Sequence, residues 1–242
     1  DFHKAPVRSF EEALAGRVAG VQVSSSDGQP GADMRVVIRG NNSVTQDNSP
    51  LYVIDGFPME SPDNNAINPS EITSIEILKD ASATAIYGAR GANGVVIITT
   101  KKGREGPPVI TYNGYYGIQQ NIRKMDLMEP YEFVKYQVER DSALANPAYL
   151  ANGKSIEEYR NVKGLDLQDE IFRIQPMQNH FISISGGTKA TKYLISGSYL
   201  NQDGVIVNTG YDRFQGRLNV GTAINDKFKV GINAHPGPLD KI

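Results

Sequence analysis

Residues 213–220 alternate without interruption: Phe214, Leu218 and Val220 fall on one side of an extended chain, Arg213, Gln215, Arg217 and Asn219 on the other. Successive side chains of a strand point to opposite faces, whereas a helix would scatter both sets around its axis. The segment is therefore a strand with one apolar and one polar face. Residues 227–233 repeat the pattern, with Phe228, Val230 and Ile232 against Lys227, Lys229 and Asn233. Residues 109–118 place Ile110, Tyr112, Tyr116 and Ile118 opposite Thr111 and Asn113, and Ile182 and Ile184 oppose Ser183 and Ser185. Two architectures produce such strands: a soluble antiparallel sheet with one wet face, and a transmembrane barrel with aromatics on the apolar face. The pattern alone leans to the soluble sheet. The connections lean the other way, because short links at 186–191 and 223–226 alternate with long ones at 201–210 and 119–179. Outer-membrane barrels have short turns on one side and long loops on the other. The longest link is expected to hold a helix from Glu129 to Ala145 and a polar stretch through Asp166, Asp169 and Glu170.

The first hundred residues follow a different grammar, that of a small mixed α/β layer. Ser9-Phe10-Glu11-Glu12 reads as a capping box opening a short helix through Leu14 and Val18, with Gly20 to stop it. Short strands are expected at 21–23, 35–38, 51–54, 75–78 and 95–98, with Asp55-Gly56 and Asn93-Gly94 as turn pairs. Asn68-Pro69 with Glu71 starts a second short helix. Asp80 caps a third over Ala81–Tyr87, which Gly88 ends. Residues 103–108, Gly-Arg-Glu-Gly-Pro-Pro, are a linker by composition. The expected fold class is thus an α+β domain at 1–105, followed at 109–242 by about five antiparallel strands of an incomplete barrel.

Several functions are disfavoured at this level. A net formal charge of −2 gives no argument for nucleic acid. The absence of cysteine rules out disulfides and thiolate metal sites. No run approaches the ~18 apolar residues of a membrane helix. His3, His180 and His235 lie far apart with no metal or triad spacing. Asp166, Asp169 and Glu170 lack the order of a calcium loop and read as a solvated loop. Gly88, Gly91 and Gly94 match no phosphate-binding fingerprint and read as turn and packing glycines. No enzyme, cofactor or metal is expected. Tyr112 and Tyr116 lie on the apolar face, so a membrane-interface belt is expected of them rather than sugar stacking. Both ends of the chain read as boundaries of a longer protein.

Several motifs occur together in this chain. They are Leu51-Tyr52-Val53-Ile54-Asp55-Gly56, Asn68-Pro69, Ile75-Glu76-Ile77-Leu78-Lys79-Asp80-Ala81-Ser82-Ala83, Ile86-Tyr87-Gly88-Ala89-Arg90-Gly91-Ala92-Asn93-Gly94-Val95 and Ile98-Thr99-Thr100-Lys101-Lys102-Gly103. Together they closely resemble the plug signature of SusC/RagA-type TonB-dependent transporters. Leu14–Val21, Ile38-Arg39-Gly40, Asp169–Arg173, Ile184–Gly187 and Ser196–Tyr199 are similar to the family too. The resemblance implies a piece of a cell outer-membrane importer of glycans or peptides (oligosaccharides or oligopeptides). Such an importer is driven by TonB through a segment expected before Asp1 and lidded by a SusD-like surface lipoprotein. It implies that Arg39 and Arg90 act as a plug–barrel lock, their carboxylate partners lying in strands beyond this chain. Gly40, Asp55, Gly56, Lys79, Asp80, Tyr87, Gly88, Gly91, Asn93 and Gly94 are then signature turn and cap positions. The other reading is a free-standing soluble binding or signalling module derived from a plug domain.

Overall fold

The computed structural model describes residues 9–25, 28–38, 40, 48–59, 67–79, 81–225, 227–235 and 239–241. Arg39, Asp80 and His3 lie outside the described residues. Helix α1 (Phe10–Leu14) is capped by the Ser9 hydroxyl, which accepts from the Glu12 amide at 3.3 Å. It ends at Leu14, not at Val18 as expected, because Ala15 leaves the helical region and Gly16 sits at φ 70°. Strands β1 (Val21–Ser25) and β2 (Met34–Ile38) then pair antiparallel, Val21 opposite Ile38.

A four-stranded mixed sheet follows, formed by β3 (Leu51–Ile54), β4 (Phe57–Met59), β5 (Ile72–Leu78) and β6 (Val95–Thr100) in the order β4-β3-β6-β5. The central pair β3–β6 is parallel, and Leu51, Tyr52, Val53, Val95, Val96 and Ile98 are all buried. Strands covered on both faces read as continuous apolar runs, as these do. One face packs with Phe10, Leu14, Ile38, Ile67 and Ile72, and Phe10 meets Tyr52 edge-on at 5.7 Å. The other packs Leu51, Val53 and Val95 against Ala83 and Tyr87 of α2 (Ala81–Tyr87). Asp55 (φ 49°) and Gly56 (φ 95°) form the two-residue turn from β3 into β4. Positive φ at both central positions is what a type I′ hairpin demands. The return strand β4 was hidden by its length and by Pro58, which an edge strand tolerates.

The second sheet is made of β7 (Gly106–Gln119), β8 (Gln175–Gly187), β9 (Thr191–Asp203), β10 (Gly210–Asn225) and β11 (Phe228–Ala234) in sequential order. The short β12 (Leu239–Lys241) also pairs with β10. Among the described residues the sheet is open, with no strand joining its two edges. Its hydrophobicity is inverted relative to a soluble sheet. On β10 the outward Phe214 is 52% exposed and Ile224 64%, while Arg213 and Arg217 on the opposite face are 1% and 3% exposed. That inner face packs on the mixed layer and also buries Asn179, Phe181, Ser196, Leu200 and Gln202. Links of three residues (188–190) and two (226–227) contrast with 204–209 and 120–174.

Residues 119–175 with 205–207 form a separate compact unit. The single helix expected there is two, α3 (Pro130–Arg140) and α4 (Ser142–Tyr149). The break falls at Asp141, whose extended backbone stops α3 and whose carboxylate accepts from the Leu144 amide at 3.1 Å to start α4. Asp166 caps α5 (Leu167–Ile171), accepting from the Gln168 amide at 2.9 Å, and Asp169 pairs with Lys124. These acids serve as cap and surface ion pair. No cluster of metal-ligating side chains occurs among the described residues.

Candidate functional site

The mixed layer meets the inner face of the wall sheet through one buried polar network. Asp55 lies in the β3–β4 turn, where the hairpin geometry turns its carboxylate back toward the end of β6. Oδ1 accepts from the Thr100 amide at 3.0 Å, and the Thr100 hydroxyl donates to Oδ2. Glu71 ends a single 3-10 turn (Pro69–Glu71) that Asn68 caps by accepting from the Ser70 amide at 2.8 Å. The Lys101 amide donates to the Glu71 carbonyl at 2.7 Å, fixing Glu71 beside Thr100.

Two wall strands reach this cluster. Arg217 of β10 brings Nη2 to 3.3 Å from Asp55 Oδ2 and donates to the Thr100 hydroxyl. Nη1 of the same guanidinium lies 3.8 Å from Glu71 Oε2, and Nε donates to Asn233 of β11 at 3.4 Å. Ser196 of β9 donates to the Glu71 carboxylate. One guanidinium thus faces two acidic side chains in a buried site, with Lys101 also pulling on Glu71. Burial pushes the Glu71 carboxyl upward in pKa, against the opposing pull of Ser196 and Arg217. Burial also pulls the Lys101 ammonium down, with Glu71 working the other way.

A second contact lies four residues earlier on β10. Arg213 exerts an electrostatic pull on Glu11 of α1, a carboxylate with no exposed surface. Burial dominates there too and lifts the Glu11 pKa to about 8, with Asp33 adding to the rise and Ser9 and Arg213 opposing it. Close packing also joins the two layers at particular points. A Cβ at Gly31 would come within 2.5 Å of the Tyr211 ring, and one at Gly103 would overlap the backbone of Tyr193.

The positions singled out in the sequence fall mostly elsewhere. Arg90 is exposed at a 3-10 turn (Gly88–Gly91) and makes no ion pair among the described residues. Arg39 and Asp80 lie outside the described residues. Lys79 donates to the Ala19 carbonyl, and Asn93 to the Ser49 carbonyl at 3.5 Å. Tyr87 is half-buried against the α2 face of the sheet. Gly40 and Gly88 hold positive φ. Gly91 presses on the Ala83 carbonyl, where a Cβ would sit at 2.8 Å. Gly94 (φ 92°) would place a Cβ 2.8 Å from Ile38 Cδ1. The network uses only Asp55 of that set. Glu71 and Arg217 were visible in the sequence as a helix-start acid and a polar-face arginine, but nothing in one sequence links residues 117 to 162 positions apart.

The outward face carries a row of rings across four strands. The Tyr112 hydroxyl of β7 bonds His180 Nδ1 of β8 at 2.7 Å; His180 is registered with Tyr199 of β9, and Tyr199 with Phe214 of β10. The Tyr199 and Phe214 rings stack at 4.5 Å.

Residues 1–95 match the TonB-dependent Receptor Plug Domain family. Over 98% of its length the chain is 42% identical to TonB-dependent receptor P3 of Formosa agariphila, and over 97% it is 34% identical to TonB-dependent receptor SusC of Bacteroides thetaiotaomicron. Superposed on the RagAB peptide importer in its closed-closed state, 96% of the chain aligns at a TM-score of 0.81 and 32% identity. The chain belongs to the SusC/RagA-type TonB-dependent receptors. It spans 22% and 23% of the two curated receptors and 29% of the RagAB chain. In a SusC/RagA-type receptor the mixed layer is the plug, and the inverted sheet is wall that the plug contacts. Arg217 therefore joins plug to wall, with the guanidinium on the wall and the Asp55 and Glu71 side chains on the plug, while Arg213 lies within electrostatic reach of Glu11.

Proposed function

We propose that this chain forms the plug (1–105) and first wall strands (109–242) of an outer-membrane transporter, the plug obstructing the barrel lumen until it is displaced. The observation that carries this reading is the inversion of the wall: apolar side chains outward, and two buried arginines inward, Arg217 against Asp55 and Glu71 of the plug. From Phe214 to Ile224 the outward face runs about 34 Å along the strand. At the usual barrel tilt that is about 25 Å of height, the thickness of an outer-membrane apolar band. The ring row from Tyr112 to Phe214 suits the interfacial girdle. A soluble module would leave this face in contact with water at a large cost.

The cargo class by relationship is glycan or peptide, captured beneath a SusD-like lipoprotein and released inward when TonB pulls on the plug. In this mechanism Arg217 has to be strong enough to close the lumen at rest and local enough to yield when the plug is strained. A guanidinium shared between two carboxylates has both properties, because its bonds are directional and few. Arg39 and Arg90 are proposed as further lock residues toward strands outside this chain. The test is antibiotic permeability and cargo uptake in cells carrying full-length protein with Arg217→Ala. Leakage with retained surface expression supports a plug lock. Wild-type permeability and uptake would remove it.

A further inference from the structure

A pocket of about 400 Å³ lies at the short-turn end of the inner face, beginning at Asn219, two residues along β10 from Arg217. Four lysines line it: Lys102 from the chain leaving β6, Lys189 from the β8–β9 turn, Lys192 from β9 and Lys229 from β11. No acidic side chain lines it among the described residues. Four lysines from separate elements around one open cleft, with no acid among its lining, favour an anion there.

The floor supplies the second observation. Gly221 of β10 pairs with Lys192 on one side and with Gly231 of β11 on the other. Glycine weakens a strand interior and is commonly kept where something must approach the backbone closely. At Gly221 packing gives no reason for it, because an added Cβ would meet nothing within 4 Å. At Gly231 an added Cβ would make only an ordinary 3.6 Å contact with the Val220 carbonyl. Neither glycine has positive φ. With Ala190 and Ala223 beside them, the floor is cleared of side chains between the lysines. Asn219 and Thr222 add polar groups at its margin.

We propose that this pocket is a binding site for an oxyanion, a sulfate, phosphate or carboxylate group carried by a small solute. Lysines act as point charges on flexible stems, so they gather around such a group without demanding one geometry. Lys102 belongs to the segment that ties the plug to the wall, so the bound anion bridges plug exit and wall. As a stage in the passage of an imported solute the site rests on the transport reading; as an anion site it does not.

The experiment is calorimetric titration of purified full-length protein in neutral detergent at low ionic strength. A trisulfated disaccharide, its unsulfated counterpart and inorganic sulfate are the probes. The sulfated disaccharide is expected to bind, with affinity falling as salt rises, and the unsulfated one not to bind. K192Q/K229Q removes two charge-assisted contacts and is expected to weaken binding about tenfold or more. Gly221→Val fills the floor without changing charge and is expected to do the same, while the folded, heat-modifiable band persists. Inorganic sulfate matching the disaccharide assigns the site to free anions; a large preference for the disaccharide assigns it to solute-borne groups. Phospholipid that co-purifies and is displaced by sulfate assigns it to a headgroup. Equal binding of both disaccharides, or unchanged binding in K192Q/K229Q, overturns the proposal. Import of a neutral cargo is not read in this experiment, so a failure here leaves the transport reading standing.

Discussion

Nη2 of Arg217 lies 3.3 Å from Oδ2 of Asp55, a contact across 162 positions of sequence that joins the tip of a plug hairpin to the fourth strand of the wall. Removing one member of a buried pair strands the other as an uncompensated charge, which typically costs about 3–5 kcal/mol. Arg217→Ala is therefore expected to destabilise the plug by that order. Arg217→Met combined with Asp55→Leu and Glu71→Gln is expected to recover much of the loss, since neither the guanidinium nor either of its two acids is left buried without its partner. Urea denaturation of the single and combined variants, followed by a probe in the plug, reads the difference. Equal loss in both would assign the effect to packing instead of charge.

The pH dependence follows from Glu11. Its folded pKa is raised from 4.5 to about 8, so between those values the folded state holds a proton that the unfolded state has released. More protons bound in the folded state mean that stability falls as pH rises through this window, by up to about 1.4 kcal/mol per pH unit. Glu71 shifts in the same direction and adds to the trend. The groups facing Glu11 are Ser9, Asp33 and Arg213. Glu11→Gln is expected to match the parent near pH 4 and exceed it near pH 8. Denaturation midpoints at the two pH values check this, and a parent that gains stability toward pH 8 would contradict it.

At Gly94 two independent requirements coincide: φ of 92°, and Ile38 Cδ1 within 2.8 Å of any added Cβ. Gly94→Ala is expected to cost about 1–3 kcal/mol, the sum of backbone strain and a shifted isoleucine. Gly28→Ala, with φ of 77° but open space around it, is expected to cost less. Thermal melts of the two variants separate strain from crowding.

Local pattern revealed most of the elements. Parallel β3 and β6 declared themselves as apolar runs, Asn68 and Ser9 as caps, and the wall strands by alternation, because each of these signals is carried within a few residues. The helix expected across 129–145 failed at Asp141, whose cap for α4 competes with continuing α3. The site was less legible. Asp55 stood out as a turn residue, and its second role depends on Thr100 and Arg217, which only the tertiary fold brings together. Arg217 stood out only as a member of a polar face. Alternation alone does not say which face is inside, and the buried Arg217 with the exposed Phe214 answers that in the sense opposite to a soluble sheet.

That inversion gives the most direct prediction. On a soluble protein, replacing an exposed residue such as Leu218 or Ile232 by arginine would change stability by less than about 0.5 kcal/mol and improve solubility. On a lipid-facing wall the same change costs about 2–4 kcal/mol near the bilayer midplane, falling toward the interfaces. Leu218 lies four residues from the ring row at Phe214 and six from Ile224, so it is placed toward the middle of the band. Leu218→Arg in the full-length protein is expected to slow or prevent acquisition of the heat-modifiable form in lipid vesicles, while Phe214→Arg, at the girdle, is expected to be milder. A Leu218→Arg protein that folds and inserts like its parent would place this face in water and return the soluble-module reading to the front.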